Sequence, residues 1–97
     1  VDMAICSAKG IDAGMGITDS NEKDAQMKKA IFASATTRVL CMDSSKFDKI
    51  SFMKVCDLRD IDVLVTDKDP GETWKKRFKE NGVSLKIYGG SDEDFSN

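Results

Sequence analysis

The segment LCMDSSKFD, Leu40 to Asp48, is where the fold of this chain is decided. An apolar run from Val39 stops at Asp43, and two serines and Lys46 follow before Phe47. A short apolar run bounded by polar turn-formers reads as a buried strand that ends in a turn. TRVLCMD is therefore expected as a strand, with Ser44-Ser45-Lys46 at its carboxyl end.

Upstream, VDMAICSA is small and apolar and is expected as a buried strand, already strand-like at its first residue, as in a fragment of a longer domain. KGIDAGMGITDS carries Gly10, Gly14 and Gly16 and reads as a flexible-backbone loop. Asp19 followed by Glu22 is an aspartate version of the capping box, so a helix is expected over 19–35, with Met27, Ile31 and Ala35 on one face. Downstream, ISFMKVC is a strand that alternates only at its start, DLRDID a charged turn and VLVTD a β-branched strand. DPGETWKKRFKENG has helix grammar: Asp69 at the N-cap, Pro70 at the first helical position, Glu72 as capping partner and Gly82 past the end. Trp74 and Phe78, one turn apart, form its inner face. VSLKIYG closes the sheet, and the acidic residues 91–97 read as a disordered tail to a domain over 1–90. No internal repeat is present. Strands alternating with helices over short connections predict an α/β fold, layered, with a mainly parallel sheet and flanking helices.

With 97 residues, 40% apolar and 33% charged, the chain has the composition of one globular domain. A chain this short buries only about 60–65% of its unfolded surface, so further polypeptide or a partner would add burial. The net charge of −2 supplies no field for a phosphate backbone. No apolar run approaches the roughly 18 residues of a membrane span, and a cytoplasmic location is expected. Cys6, Cys41 and Cys56 form no C-x-x-C pair and are expected in the core, and with no histidine a zinc site is not expected. Neither a metal nor a cofactor is expected.

In a parallel sheet, ligands gather at strand carboxyl ends. The glycine loop and Ser44-Ser45-Lys46 both lie there, in position to face one crevice. The loop lacks the third glycine of a dinucleotide fingerprint and the G-K-[ST] of a P-loop. Two readings stand: a backbone that closes on a ligand, helped by Lys9 and Asp12, or a connection that needs positive φ. Ser44-Ser45-Lys46 has three: a polar loop exit, an anion-binding turn, or a serine nucleophile with a lysine base. WKKRFKE offers a nucleic-acid face or a solvated one; the second fits better, because Trp74 and Phe78 belong inside and Glu72 with Lys76 has the i,i+4 order of an exposed helix. Asp57, Asp60, Asp62 and Asp67 lack EF-hand spacing and read as turn and strand-end residues.

Asp2 opening a strand, KGID and GMGIT in the loop, AQMKKAIFASA on the helix, VLCMDSSKF, and LRDIDVLVTD occur in that order. This succession resembles the C-terminal effector-binding domain of the DeoR family of bacterial transcriptional repressors over about residues 1–88. The resemblance implies a fold like ribose-5-phosphate isomerase and the CoA transferases, truncated at its N-terminus. It also implies an anionic metabolite such as a sugar phosphate as effector, a homo-oligomer, and operator DNA bound by a helix-turn-helix outside this chain. The related isomerases carry D-G-A-D-E-[IV]-D and, on the next helix, R-E-K. CSAKGID keeps Ala8, Ile11 and Asp12, but has Cys6 and Lys9 at acidic positions, Gly10 at a glutamate and, in MKKA, Lys28 at the catalytic glutamate. A charged lysine cannot take a proton from carbon, so the resemblance implies a sensor, not an enzyme. The alternative is an isomerase or transferase on the same scaffold. The implied effector-binding residues are Lys9, Gly10, Asp12, Gly14, Gly16, Lys28, Ser45 and Lys46, with Lys46 matching a pocket lysine of the family.

Overall fold

The computed structural model describes residues 2–88. Its elements are β1 (Met3–Ser7), β2 (Gly10–Asp12), β3 (Gly16–Asp19), α1 (Glu22–Ala33), β4 (Thr37–Cys41), β5 (Met53–Cys56), β6 (Val63–Thr66), α2 (Glu72–Glu80) and β7 (Ser84–Ile87). Single 3₁₀ turns, Ser44–Lys46 and Leu58–Asp60, precede β5 and β6. The expected acidic tail lies outside the described residues.

The α/β expectation holds: β1, β4, β6 and β7 form one parallel sheet in that order. The order never reverses. A right-handed crossover that always steps in one direction places every connection on the same face. Ala4, Leu40 and Leu64 accordingly share one core with Phe32 of α1, Val55 of β5, and Trp74 and Phe78 of α2.

The expected glycine loop is a correction. Residues 10–19 form the antiparallel hairpin β2–β3, and β5 pairs with β3 to complete a second, three-stranded sheet. Its strands are too short to show an alternation of their own. Ile11 and Ile17 anchor it in the core, and the backbone beside Gly10 and Gly16 is so close that no Cβ fits.

Three helix details also differ from expectation. Helix α1 starts at Glu22, because Asp19 is held in β3 opposite Met53, and Asn21 supplies the cap by accepting from the Asp24 N–H at 2.8 Å. Its inner face is Ala25 and Phe32, with Ala35 buried just beyond it, while Met27 and Ile31 face outward. Helix α2 starts two residues later than Pro70 suggests: Asp69 accepts from the Gly71 N–H at 2.8 Å and caps the preceding turn, and Gly71 at φ 97° is the N-cap. The predicted end and inner face of α2 hold. Gly82 has φ 74°, the Val83 N–H donates to the Phe78 carbonyl at 2.8 Å, and Trp74 and Phe78 are buried. The cysteines are all free and only half-buried, not fully in the core; Cys6 and Cys56 pack against it. Burial and the nearby Asp60 and Asp57 push the Cys56 thiol up to about 12, so it stays protonated.

One ion pair ties α1 to the hairpin. Asp19 is 1% exposed, and Lys28 donates to its Oδ2. Burial raises the pKa of this carboxyl, but the Lys28 hydrogen bond, the Ser20 N–H at 2.7 Å and the charges of Lys28 and Lys9 outweigh it and leave Asp19 below its ordinary value.

Two stability outcomes follow for urea unfolding. Phe78→Ala should cost about 3–5 kcal/mol by emptying the centre of the core, whereas Met27→Ala should stay within about 0.5 kcal/mol. Lys28→Ala should cost about 2–3 kcal/mol at pH 7, below the fully buried case because Lys28 is partly exposed. In the native protein, Asp19 contributes stability above the ordinary carboxylate range, and that contribution is lost as pH falls through its lowered folded value. Without Lys28 the stranded carboxylate takes a proton readily, so the difference between native and variant should shrink on acidification. A difference that does not change with pH would contradict the pairing.

Candidate functional site

The carboxyl ends of β4 and β6 lie side by side, since Cys41 is in register with Val65. The Met42 N–H donates to the Val65 carbonyl at 2.9 Å and carries the pairing one residue past the strand. The chain then folds into the Ser44–Lys46 turn, which two aspartates hold. Asp43 Oδ1 accepts from the Ser45 N–H at 2.9 Å and from the Ser45 hydroxyl. Asp67, at the end of β6, accepts the Ser44 N–H on its Oδ1 at 2.6 Å.

These bonds hold both carboxyls below the usual carboxylate range. For Asp43 the Ser45 hydroxyl is the main cause and the Ser45 N–H the next; for Asp67 it is the Ser44 N–H. The Ser45 N–H and hydroxyl both meet Asp43 Oδ1, and the Ser44 N–H and the Thr66 hydroxyl both meet Asp67 Oδ1. Beyond the turn, Phe47 plugs into the core edge-on against Trp74, with ring centroids 5.2 Å apart. Asp48 at φ 62° takes the Trp74 Nε1–H at 3.2 Å and donates its own N–H to the Ile11 carbonyl at 2.8 Å. The turn is thus fixed at both ends.

A hollow of about 330 Å³ opens beside it, lined by Cys41, Met42, Asp43, Val65, Thr66, Asp67 and Tyr88. Its walls are apolar strand residues. Its rim carries acceptors suited to hydroxyl groups.

The other predicted residues are distributed differently. Gly10 packs on the Lys49 carbonyl, and a Cβ there would lie 2.4 Å from that oxygen. Gly16 has φ 80° and packs on the Cys56 carbonyl. Asp12 Oδ2 accepts the N–H groups of Gly14 and Met15 at 2.9 and 3.0 Å, which closes the hairpin. Gly14 and Gly16 line a separate hollow with Asp57, Leu58, Arg59 and Asn81. The tip of the hairpin thus lies beside the Leu58–Asp60 turn, and the hollow there is distinct from the one beside Asp43 and Asp67. Lys28 is committed to Asp19, Lys9 is exposed near that pair, and Lys46 is half-buried.

The outer face of α2 carries its charges in solvent, and Lys75 pairs with Asp69 at 2.6 Å and Glu72 at 3.7 Å where Glu72–Lys76 was expected. Asp57 and Asp60 cap their own turn, and Asp62 accepts the Arg38 N–H at 2.7 Å, as turn and strand-end residues should. Among the described residues no cluster of His, Cys, Asp or Glu could hold a metal ion, and no helix is long and apolar enough to cross a membrane. The two aspartates that shape the turn were missed as site residues. Asp43 was legible, since aspartate just before Ser-Ser is a turn-capping signature. Asp67 was not, because its contact spans 23 residues of sequence.

The chain is 32% identical to the HTH-type transcriptional repressor GlcR of Bacillus subtilis over 90% of its length. It is 30% identical to the deoxyribose operon repressor of Escherichia coli K12 over 87%, and 28% identical to the L-fucose operon activator of Haemophilus influenzae over 86%. In each case it spans about a third, 33%, of the relative's own length. Residues 1–68 match the family model described as the DeoR C terminal sensor domain. With most of its length in that match, and the turn at residues 43–46 inside it, the chain belongs to the DeoR sensor-domain family.

Proposed function

We propose that this sensor domain binds a phosphorylated sugar or similar anionic metabolite at the carboxyl ends of β4 and β6, in a polypeptide that binds operator DNA through a separate helix-turn-helix and works as an oligomer. The carrying observation is the juxtaposition of the Ser44–Lys46 turn with the hollow between Asp43 and Asp67. Lys46 supplies a cation for the anionic group, and the ionised carboxylates accept from sugar hydroxyls. The names of the relatives, which refer to deoxyribose and L-fucose operons, support a sugar-derived effector.

The parallel sheet with both helices on one face fits an architecture like ribose-5-phosphate isomerase, and on this reading the effector is held without being transformed. Cys6, Lys9, Gly10 and Lys28 stand where the isomerases have acids, and the Lys28 charge is already met by Asp19. Of the residues implied by family resemblance, Ser45 and Lys46 belong to this site. Gly10, Asp12, Gly14 and Gly16 shape the hairpin that supports it, and Lys9 adds positive charge at the carboxyl end of β1. The effector acts by preferring one of two states of the protein, and shifts DNA binding only by the size of that preference.

The test is thermal stabilisation of the complete polypeptide by a panel of pentose and hexose phosphates and the matching free sugars. Phosphorylated members should stabilise and free sugars should not. Lys46→Ala should weaken the binding about ten- to a hundredfold, as loss of a charged hydrogen bond does, with unliganded melting unchanged. Undiminished stabilisation in that variant would contradict the assignment.

A further inference from the structure

The hollow beside the Ser44–Lys46 turn and the cation of that turn are not the same place. Cys41, Met42 and Val65 give the hollow an apolar wall, which Asp43, Asp67 and Tyr88 complete. Among the described residues that line it, Asp43 and Asp67 carry negative charge and none carries positive charge. Lys46 stands outside this lining, near enough for its charge to act on Asp43. A ligand that reaches both meets two environments: a cation at one end, and carboxylates on an apolar surface at the other.

Two carboxylates beside a small hollow tell hydroxyl groups from charged ones. The turn bonds keep both ionised at neutral pH, since each lies below the usual carboxylate range. An ionised carboxylate has about four acceptor positions, more than the bonds from Ser44 and Ser45 take up, so it can accept from hydroxyls as well. A second phosphate or a carboxylate placed there would meet like charge from two groups, in a partly desolvated site where repulsion exceeds that in water. The lining holds no cation to offset it.

Tyr88 adds a surface for the rest of a sugar. Its N–H donates to the Thr66 carbonyl at 2.9 Å, which extends the pairing of β6 with β7 and sets Tyr88 alongside the end of β6. It lines the hollow and is 43% exposed, so a ligand can reach it. An aromatic ring is negative on its face and attracts weakly positive C–H groups. A sugar ring presents C–H groups on its faces and hydroxyls around its edge, which matches an aromatic platform flanked by acceptors. The volume of about 330 Å³ is near the lower end of small-molecule sites, which run from about 300 to 1,000 Å³.

Building on the effector assignment above, we propose that Tyr88, Asp43 and Asp67 set the specificity of this site. The uncharged ring of a sugar monophosphate lies on Tyr88 with its hydroxyls on the two aspartates, and sugars with a second anionic group are refused.

Isothermal titration calorimetry on the complete polypeptide tests this with matched pairs: glucose 6-phosphate against 6-phosphogluconate, fructose 6-phosphate against fructose 1,6-bisphosphate, and ribose 5-phosphate against ribose 1,5-bisphosphate. The monophosphate that binds best should bind at least about tenfold more tightly than its doubly anionic partner. Asp43→Asn and Asp67→Asn keep an oxygen for the turn N–H groups but remove the charge, and should narrow that ratio. Tyr88→Ala should weaken the monophosphate about three- to tenfold and leave inorganic phosphate unchanged, while Tyr88→Phe restores native affinity. Equal affinities within the pairs in the native protein overturn the specificity proposal, as does a Tyr88→Ala effect that is as large on inorganic phosphate. If Lys46→Ala still weakens binding in that case, the effector assignment itself stands. Failure of every monophosphate to bind, or undiminished binding in Lys46→Ala, overturns both.

Discussion

A parallel sheet whose strands join in an order that never turns back must send every connection across the same face. That constraint organises the rest of this molecule. It gathers α1, α2, β5 and the β2–β3 hairpin into one layer over Ala4, Leu40 and Leu64, with Phe78 at its centre. It also brings the carboxyl ends of β4 and β6 together at one end of the sheet, where chain leaving a strand must turn and strand-end backbone groups need new partners. Asp43 and Asp67 supply those partners. Among the described residues, the same order leaves the opposite face without a covering helix.

The site has the character of a rigid strand end with a short turn fastened to it. The turn is held in front by two carboxylates and behind by Phe47 and Asp48, which engage Trp74 of α2 and the backbone of β2. A ligand that draws on Lys46 or on either aspartate therefore acts on the junction of both sheets and α2. Such a junction can pass a small displacement on to packed elements. The Asp19–Lys28 pair keeps the hairpin and α1 in place without contributing free charge.

Much of this was legible from residues alone. TRVLC, VLVT and the Trp74–Phe78 helix were read correctly because a β-branched or apolar run, or two aromatics one turn apart, states its own geometry. What failed, failed through contacts distant in sequence or through elements too short for a pattern. The glycines at 10 and 16 read as part of a loop; Gly16 does take a positive φ, of 80°, as one of the two readings had it, but both lie in a hairpin where the backbone at Lys49 and Cys56 presses against them. Asp19 read as a cap, and only its register with Met53 shows it to be a strand residue. Ser44-Ser45-Lys46 was recognised as a strand-end turn, but the grip of Asp67 on it was not. The pairing of Lys28 with Asp19, nine residues away, was likewise not legible.

On the proposed assignment, the effector meets the protein where β4 and β6 end. Amide exchange of the complete polypeptide, measured with and without the tightest-binding sugar phosphate, tests this directly at the Ser44 N–H, which already donates to Asp67 at 2.6 Å. Slower exchange at Ser44, Ser45 and Lys46 than at the hairpin tip is the predicted result. Protection confined to residues 12–16 or to the outer face of α2, with Ser44 unchanged, would contradict it.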